Sequence, residues 1–289
     1  MLANVKEILE DCKKNKTAIG AFNISNLETA QAVIWAAVAK RKPIIVQITK
    51  STLDYAGNHE IVDLVASMIE HRSGNIPIGI HLDHGKTFEI CKEAIELGFN
   101  SVMLDGSHLS FEENKSLTKR VADYAHKHNV SVQGELGTVP YLGRHTYNDD
   151  ESIWEKYMTN PEQAAEFAAE TGIDSMAVAI GNAHGFQKEK DVPDWDRLQK
   201  VAAKTNLPLI LHGASDWNSA KIQMAIERGV TCFNVDTDIR VAFVNKLCNH
   251  FESGCTMEDP RKVMGLVREA IQQKVEHKIA MFSTKYSDE

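Results

Sequence analysis

The chain has 289 residues, of which 43% are hydrophobic and 25% charged, and its formal net charge is −8. This length suits one barrel of about 250 residues, and the apolar fraction can fill a sizeable core. The acidic balance, with no dense basic run and no aromatic-basic interleaving, argues against a nucleic-acid partner, and no apolar stretch reaches the roughly 18–20 residues of a membrane helix.

From the N-terminus, Met1 to Glu7 reads as the start of an amphipathic helix, with neither a basic nor an apolar leader region. β-rich runs then follow over 17–22, 43–48, 78–81, 101–104, 130–134, 175–180, 207–211 and 231–235. Helix-period segments lie between them, among them 28–39, 88–97, 111–128, 161–171, 195–205 and 219–227. Strands alternating with helices imply parallel βαβ units, and eight of them in this length imply an α/β fold, a closed (β/α)8 TIM barrel forming one domain over 1–289. An open doubly wound sheet is the alternative, but no G-x-G-x-x-G follows the first strand. The longest segment without strong periodicity, 138–159, follows the fifth strand and is a candidate lid. The five cysteines (Cys12, Cys91, Cys232, Cys248, Cys255) are odd in number, irregularly spaced and without a C-x-x-C pair. That argues against a disulfide framework and fits a reducing cytoplasm.

Three histidines follow β-forming runs and directly precede glycine: His84, His184 and His212. A histidine at a strand end is rigidly held, and the following glycine permits close approach of backbone or ligand. Catalytic zinc sites typically combine three protein ligands with one open position, so the triplet points to a metal at the mouth of the barrel. A lone histidine is more often a satisfied structural group; it is the shared setting of the three that favours ligation. His59, His71, His108, His126, His128, His145, His250 and His277 lack that setting and read as surface or core residues.

The other predicted strands end in Asn23, Thr49, Asp105, Glu135, Asn234 and Asp236. Polar groups at nearly every strand end are what a catalytic barrel face needs. Asp83 either starts a turn before Gly85 or, beside a divalent metal, moves a proton on the substrate. Asp105 and Glu135 either orient the ligands, hold the metal in an alternative position, or bond to loop backbone. After the last two strands come Gly213, Ser215 and Thr237, at the corner where barrels often bind phosphate, and Lys188 can add charge from the loop after the sixth strand. For Ser215 and Thr237 the plainer reading is a turn or helix cap. Lys50, after the second strand, is the nearest approach to a Schiff-base lysine and a weak one.

Taken together, His-Leu-Asp83-His84-Gly, Leu-Asp105-Gly-Ser, Gly-Glu135-Leu-Gly, Gly181-Asn-Ala-His184-Gly, Leu-His212-Gly-Ala-Ser215 and Asn234-Val-Asp236-Thr237-Asp resemble the class II, metal-dependent ketose-bisphosphate aldolases. These include fructose- and tagatose-bisphosphate enzymes. The resemblance runs from Ala18 to Lys262. It implies His84, His184 and His212 as ligands of one catalytic Zn2+ per subunit, with Asp105 and Glu135 near a mobile metal. It further implies Asp83 as the acid–base for the C4 hydroxyl and Asn234 at the enediolate that the zinc stabilises. Gly185, Lys188, Gly213, Ser215, Asp236 and Thr237 would cradle the dihydroxyacetone-phosphate group, and carbonyls of Gly181 and Gly213 would hold a monovalent cation (Na+ or K+). Asn23 and Thr49 would face the aldehyde, and Arg261 would reach the distal phosphate from a neighbouring subunit of a homodimer or homotetramer.

The expected activity is reversible cleavage of a ketose 1,6-bisphosphate, by default fructose 1,6-bisphosphate, into dihydroxyacetone phosphate and glyceraldehyde 3-phosphate. Tagatose 1,6-bisphosphate or another anionic aldehyde is the nearest alternative, a non-catalytic phosphosugar-binding protein a more distant one and a hydrolytic metal barrel the last. One departure from the family stands out. The loop after Gly-Glu135-Leu-Gly has Pro140-Tyr141 in place of small residues, and its acidic residues, Asp149, Asp150 and Glu151, come late. Either one of these carboxylates is the second acid–base or that step is done differently; Arg144 and His145 could read a substrate anion instead.

Overall fold

The computed structural model describes residues 1–140, 155–184, 193–254 and 259–283. Its eight strands are β1 (Ile19–Asn23), β2 (Ile44–Thr49), β3 (Ile78–Gly85), β4 (Ser101–Leu104), β5 (Ser131–Leu136), β6 (Ser175–Val178), β7 (Leu209–Leu211) and β8 (Val230–Val235). All pair in parallel and in chain order, and β1 closes on β8 with Ile19 opposite Cys232 and Ala21 opposite Asn234. The expected eightfold barrel is therefore what the chain forms. Nearly every strand residue is buried, because helices cover the outside while side chains fill the inside. Continuous Ile/Val-rich runs are the sequence form of such strands.

The helices are α1 (Val5–Asn15), α2 (Leu27–Lys40), α3 (Lys50–Ala56), α4 (Asn58–Arg72), α5 (Phe88–Glu96), α6 (Phe111–Ala125), α7 (Pro161–Thr171), α8 (Trp195–Thr205), α9 (Ser219–Glu227), α10 (Thr237–Glu252) and α11 (Pro260–Ser283). Local chemistry sets their ends. Asn26 and Thr29 form a reciprocal capping box on α2, and Asn160 caps α7 ahead of Pro161. α1 closes the floor of the barrel: Val5, Ile8, Leu9 and Cys12 pack on the inward Ile19, Ala21, Ile45, Ile210 and Cys232. The 24-residue α11, not singled out in the sequence, packs along α2 and α10 and buries Val267, Ile271, Val275 and Phe282. Two strand ends also differ from expectation: β3 and β5 run on to Gly85 and Leu136, which puts His84 and Glu135 inside the sheet rather than past it.

The cysteines provide a direct check on this packing. Cys12, Cys91 and Cys232 are buried and Cys248 is exposed, while Cys255 lies outside the described residues. Burial pushes the Cys12 thiol up to about 11 and Cys91 to about 12, and raises Cys232 well above its ordinary value. A raised thiol stays neutral and unreactive at pH 8. Iodoacetamide at pH 8 is expected to alkylate Cys248 in the folded protein and to spare the other three. Mass-spectrometric detection of rapidly labelled Cys91 or Cys232 would contradict this core.

Candidate active site

The site begins with an irregularity in β3. Pairing with β4 shifts register between Leu82 and Gly85, and between them His84 takes a left-handed backbone conformation with φ of 51°. In a regular strand successive side chains point to opposite faces. The bulge cancels that alternation, so neighbouring Asp83 and His84 line the same cavity. A non-glycine residue in this region costs on the order of 1–3 kcal/mol, a strain that packing must hold in place. Gly85 completes the turn: a Cβ there would lie 2.7 Å from the Met103 carbonyl oxygen and 2.9 Å from Cys91 Sγ.

Around His84 the strand ends converge. His212, at the end of β7, places Nδ1 3.2 Å from His84 Nε2. The ring centroids of His84 and His212 are 4.8 Å apart, and His184 stands 6.0 Å from each of them. One ring nitrogen from each of the three lies within 4.8 Å of the others, a spacing that one cation can bridge. The loop after β7 is held against His184 because Gly213 has φ of 66° and a Cβ there would sit 2.3 Å from the Ala183 carbonyl oxygen. Asn182 fixes the same junction, accepting from the Ile180 N–H at 2.8 Å and donating to the His212 carbonyl at 2.7 Å.

The donor set fits a metal in a further respect. His212 Nε2 faces the Asn234 amide nitrogen at 3.0 Å and that of Gln133 at 3.2 Å, while among the described residues nothing hydrogen-bonds to the buried Asn234 Oδ1. Turning the Asn234 amide lets Oδ1 accept from His212 Nε2–H, which leaves the Nδ1 lone pair directed at the cluster. A second group shares His84: its Nδ1 lies 2.9 Å from Asp105 Oδ2 and 3.8 Å from Glu135 Oε2, itself buried and without a hydrogen-bond partner among the described residues. His84, Asp105 and Glu135 are the other trio whose ligand atoms lie within 4.8 Å of one another.

Charge among these side chains is strongly redistributed. Burial opposes protonation of His84, yet the Asp83 carboxylate, the Asp105 hydrogen bond and Glu135 together raise it to about 10. Burial lowers His184 to about 4, helped by the His84 charge, and depresses His212 as well. Glu135 is raised to about 8 by burial and by Asp105. Asp83 is buried, which favours its acid form, but His84, His212 and the Asn23 hydrogen bond hold it below the usual carboxylate range. Asn23 donates to Asp83 Oδ2 at 2.8 Å and Gln47 to Oδ1 at 3.4 Å.

A pH dependence follows for the protein stripped of metal. His84 has a folded value raised from 6.5 to about 10, so its stabilisation is full below 6.5 and lost as pH rises through 10. Glu135, raised from 4.5 to about 8, works in the same direction over its own window. The depressed His184 and His212 have delivered their contribution by pH 6.5, the ordinary value from which they are lowered. The chelated protein is therefore expected to melt at progressively lower temperature between pH 7 and 9.5. A melting point that rises over that range would refute this charge assignment.

The remaining expected residues divide clearly. Asn23, Thr49, Gly213, Ser215, Asn234, Asp236 and Thr237 line the same cavity as Asp83 and the three histidines. Asp105 and Glu135 line an adjoining opening with Lys50, whose ammonium pairs with Asp54. Thr49 also caps α3, and Asp236 leads into α10 without a side-chain cap bond. Asp236 is raised by burial despite its 2.8 Å ion pair with Arg240, a cavity residue that the sequence did not flag. Gly181 has φ of 96°. Arg261 is exposed, paired with Asp259 at 2.6 Å, and is not among the residues lining the cavity. Gly185, Lys188, Arg144, His145, Asp149, Asp150 and Glu151 lie outside the described residues. Sequence reasoning also passed over Gln47, Gln133 and Asn182, polar groups within or just after strands that orient Asp83 and His212. For Gln47 and Gln133 the signal was a polar side chain interrupting an apolar strand.

The family model described as class II fructose-bisphosphate aldolase matches residues 3–286. A fructose-bisphosphate aldolase of Staphylococcus aureus strain Mu50 is 38% identical over 284 residues, covering 98% of each chain. One of Geobacillus stearothermophilus is 36% identical over 285 residues, covering 98% of this chain and 97% of the relative. Among solved structures, the YdjI aldolase of Escherichia coli K12 superposes with a TM-score of 0.85 at 30% identity, covering 98% of this chain and 97% of that one. Likeness on this scale, over nearly the full length and on the same closed barrel, means that the chain belongs to the class II fructose-bisphosphate aldolase family and is an aldolase, a carbon–carbon lyase.

Proposed function

We propose that the protein is a zinc-dependent aldolase that reversibly cleaves fructose 1,6-bisphosphate to dihydroxyacetone phosphate and glyceraldehyde 3-phosphate. The observation that carries this reading is the β3 bulge, which delivers Asp83 and His84 together into the cavity that His184 and His212 share. A divalent cation held by the three histidines supplies Lewis-acid stabilisation of the negative charge that cleavage places on the ketose oxygens. Asp83, kept ionised, accepts the C4 hydroxyl proton, with Asn23 and Gln47 aiming its two oxygens. Asn234, between His212 and the cavity, donates to the oxygen at the reacting carbon. Asp105 and Glu135 offer a second resting position for the metal.

At the other end of the cavity, Gly213, Ser215, Asp236 and Thr237 gather where α10 begins, and a phosphate there meets first-turn N–H groups and two hydroxyls. Gly185 and Lys188 complete that cradle, and carbonyls of Gly181 and Gly213 hold a monovalent cation. Asn23 and Thr49 face the aldehyde. Arg261, projecting from the surface, serves the distal phosphate of a neighbouring subunit in a homodimer or homotetramer. The chain works as one domain in the cytoplasm; among the described residues no helix is long and apolar enough to cross a membrane. One observation favours a longer anionic aldehyde as a second reading. The cavity shares Asn23, Thr49, Asp236 and Arg240 with a wider groove that continues past Ser51 to the exposed Tyr55.

The test is a coupled assay of dihydroxyacetone phosphate release from fructose and tagatose bisphosphates, with and without a chelator. Chelator-sensitive release, faster from fructose 1,6-bisphosphate, supports the proposal. Release from neither by metal-loaded protein overturns it.

A further inference from the structure

Lys278 is a lysine with almost no access to water. It lies late in α11, its side chain 7% exposed, and it reaches inward to the loops that follow β7 and β8. Its Nζ donates to the Ser215 carbonyl oxygen and lies 3.0 Å from Asp238 Oδ2. Asp238 follows Thr237 in the first turn of α10, and its side chain is 9% exposed. Lys274 approaches the other Asp238 oxygen only at 3.9 Å and from a more exposed position.

An ion pair this buried is a poor device for stability, since removing both charges from water costs about as much as their attraction returns. What it does supply is geometry. One ammonium ties the Ser215 backbone to the start of α10, so the two segments are held at a set separation. Gly213, packed on the Ala183 carbonyl, anchors the same loop at its other end. Ser215 and Thr237 both line the cavity, and the tie joins the carbonyl of the first to Asp238, the neighbour of the second.

We infer that Lys278, through its pair with Asp238, is a positioning residue for the phosphate corner. It sets the gap between Ser215 and Thr237, and so governs affinity for the phosphate group rather than the carbon–carbon step. This rests on the reading of that corner given above.

The experiment uses the zinc-loaded enzyme and two readouts: steady-state kinetics with fructose 1,6-bisphosphate, and calorimetric binding of inorganic phosphate. Lys278→Met alone strands a buried carboxylate, so the decisive variant is the double K278M/D238N, which leaves no unpaired charge. It is expected to raise KM and the phosphate Kd about tenfold each, with kcat within about threefold of wild type and zinc content retained. Asp238→Asn alone keeps an acceptor beside Nζ and is expected to show a smaller rise in both. Unchanged KM and phosphate Kd in the folded double variant overturn the inference. So does a fall in kcat with loss of zinc and no change in phosphate affinity. If the wild-type enzyme itself binds no phosphate while cleaving the ketose, the corner has been misread, and the inference falls with it.

Discussion

Asp83→Asn is expected to lower the rate of dihydroxyacetone phosphate release about 10²–10⁴-fold, the range typical of losing a positioned proton-transfer group. Bound zinc should stay near the wild-type level. Asparagine keeps the shape of the side chain and its seat between Asn23 and Gln47, but it cannot take a proton from a hydroxyl. One of those two donors then faces an amide N–H, a local cost of about 1–3 kcal/mol that a domain of this size can absorb. Turnover in the coupled assay, read beside metal content by atomic absorption, checks both halves of the expectation. Activity within about threefold of wild type would assign proton transfer elsewhere, a carboxylate of 149–151 being the next candidate.

A larger effect is expected at the metal ligands. His212→Ala removes one of the three converging nitrogens and also leaves the amides of Asn234 and Gln133 facing an empty space. Zinc content should fall to a small fraction of wild type and cleavage should become undetectable. Exhaustive chelation of the wild-type protein should have the same catalytic outcome, reversed by adding Zn2+. At free metal about 1,000-fold above Kd, bound metal stabilises the fold by about 4 kcal/mol. For a chain of this length that corresponds to a rise in melting temperature of roughly 7 °C. A chelated enzyme that melts at the same temperature and still cleaves substrate would eliminate the metal from the proposal.

The barrel was legible because buried parallel strands write themselves as short apolar runs, and runs such as Ile-Ile-Val and Leu-Ile-Leu are hard to read otherwise. The histidines were legible for a related reason: each breaks an apolar run immediately before a glycine. The bulge at His84 was not, because a one-residue change of register leaves no trace in periodicity; the sequence placed Asp83 and His84 beyond the strand, whereas both lie within it. Gln47 and Gln133 were missed because they lie inside strands and only residues past the strand ends were weighed. Lys278 was invisible for a different reason. Its partners, Ser215 and Asp238, are 63 and 40 positions away by number, and in a helix-forming segment a lysine reads as a solvated face.

The left-handed turn at His84 has one more consequence. On the proposed reading, a metal ligand and the proton carrier are consecutive residues of a single chain, joined through one rigid peptide plane. The peptide plane fixes the distance between their Cα atoms and the β3 bulge sets the directions of their side chains, whereas the approach of His184 and His212 depends on how separate loops pack. When the barrel mouth breathes, Asp83 and His84 travel together, and such motion changes their distance to His184 and His212 more than their distance to each other.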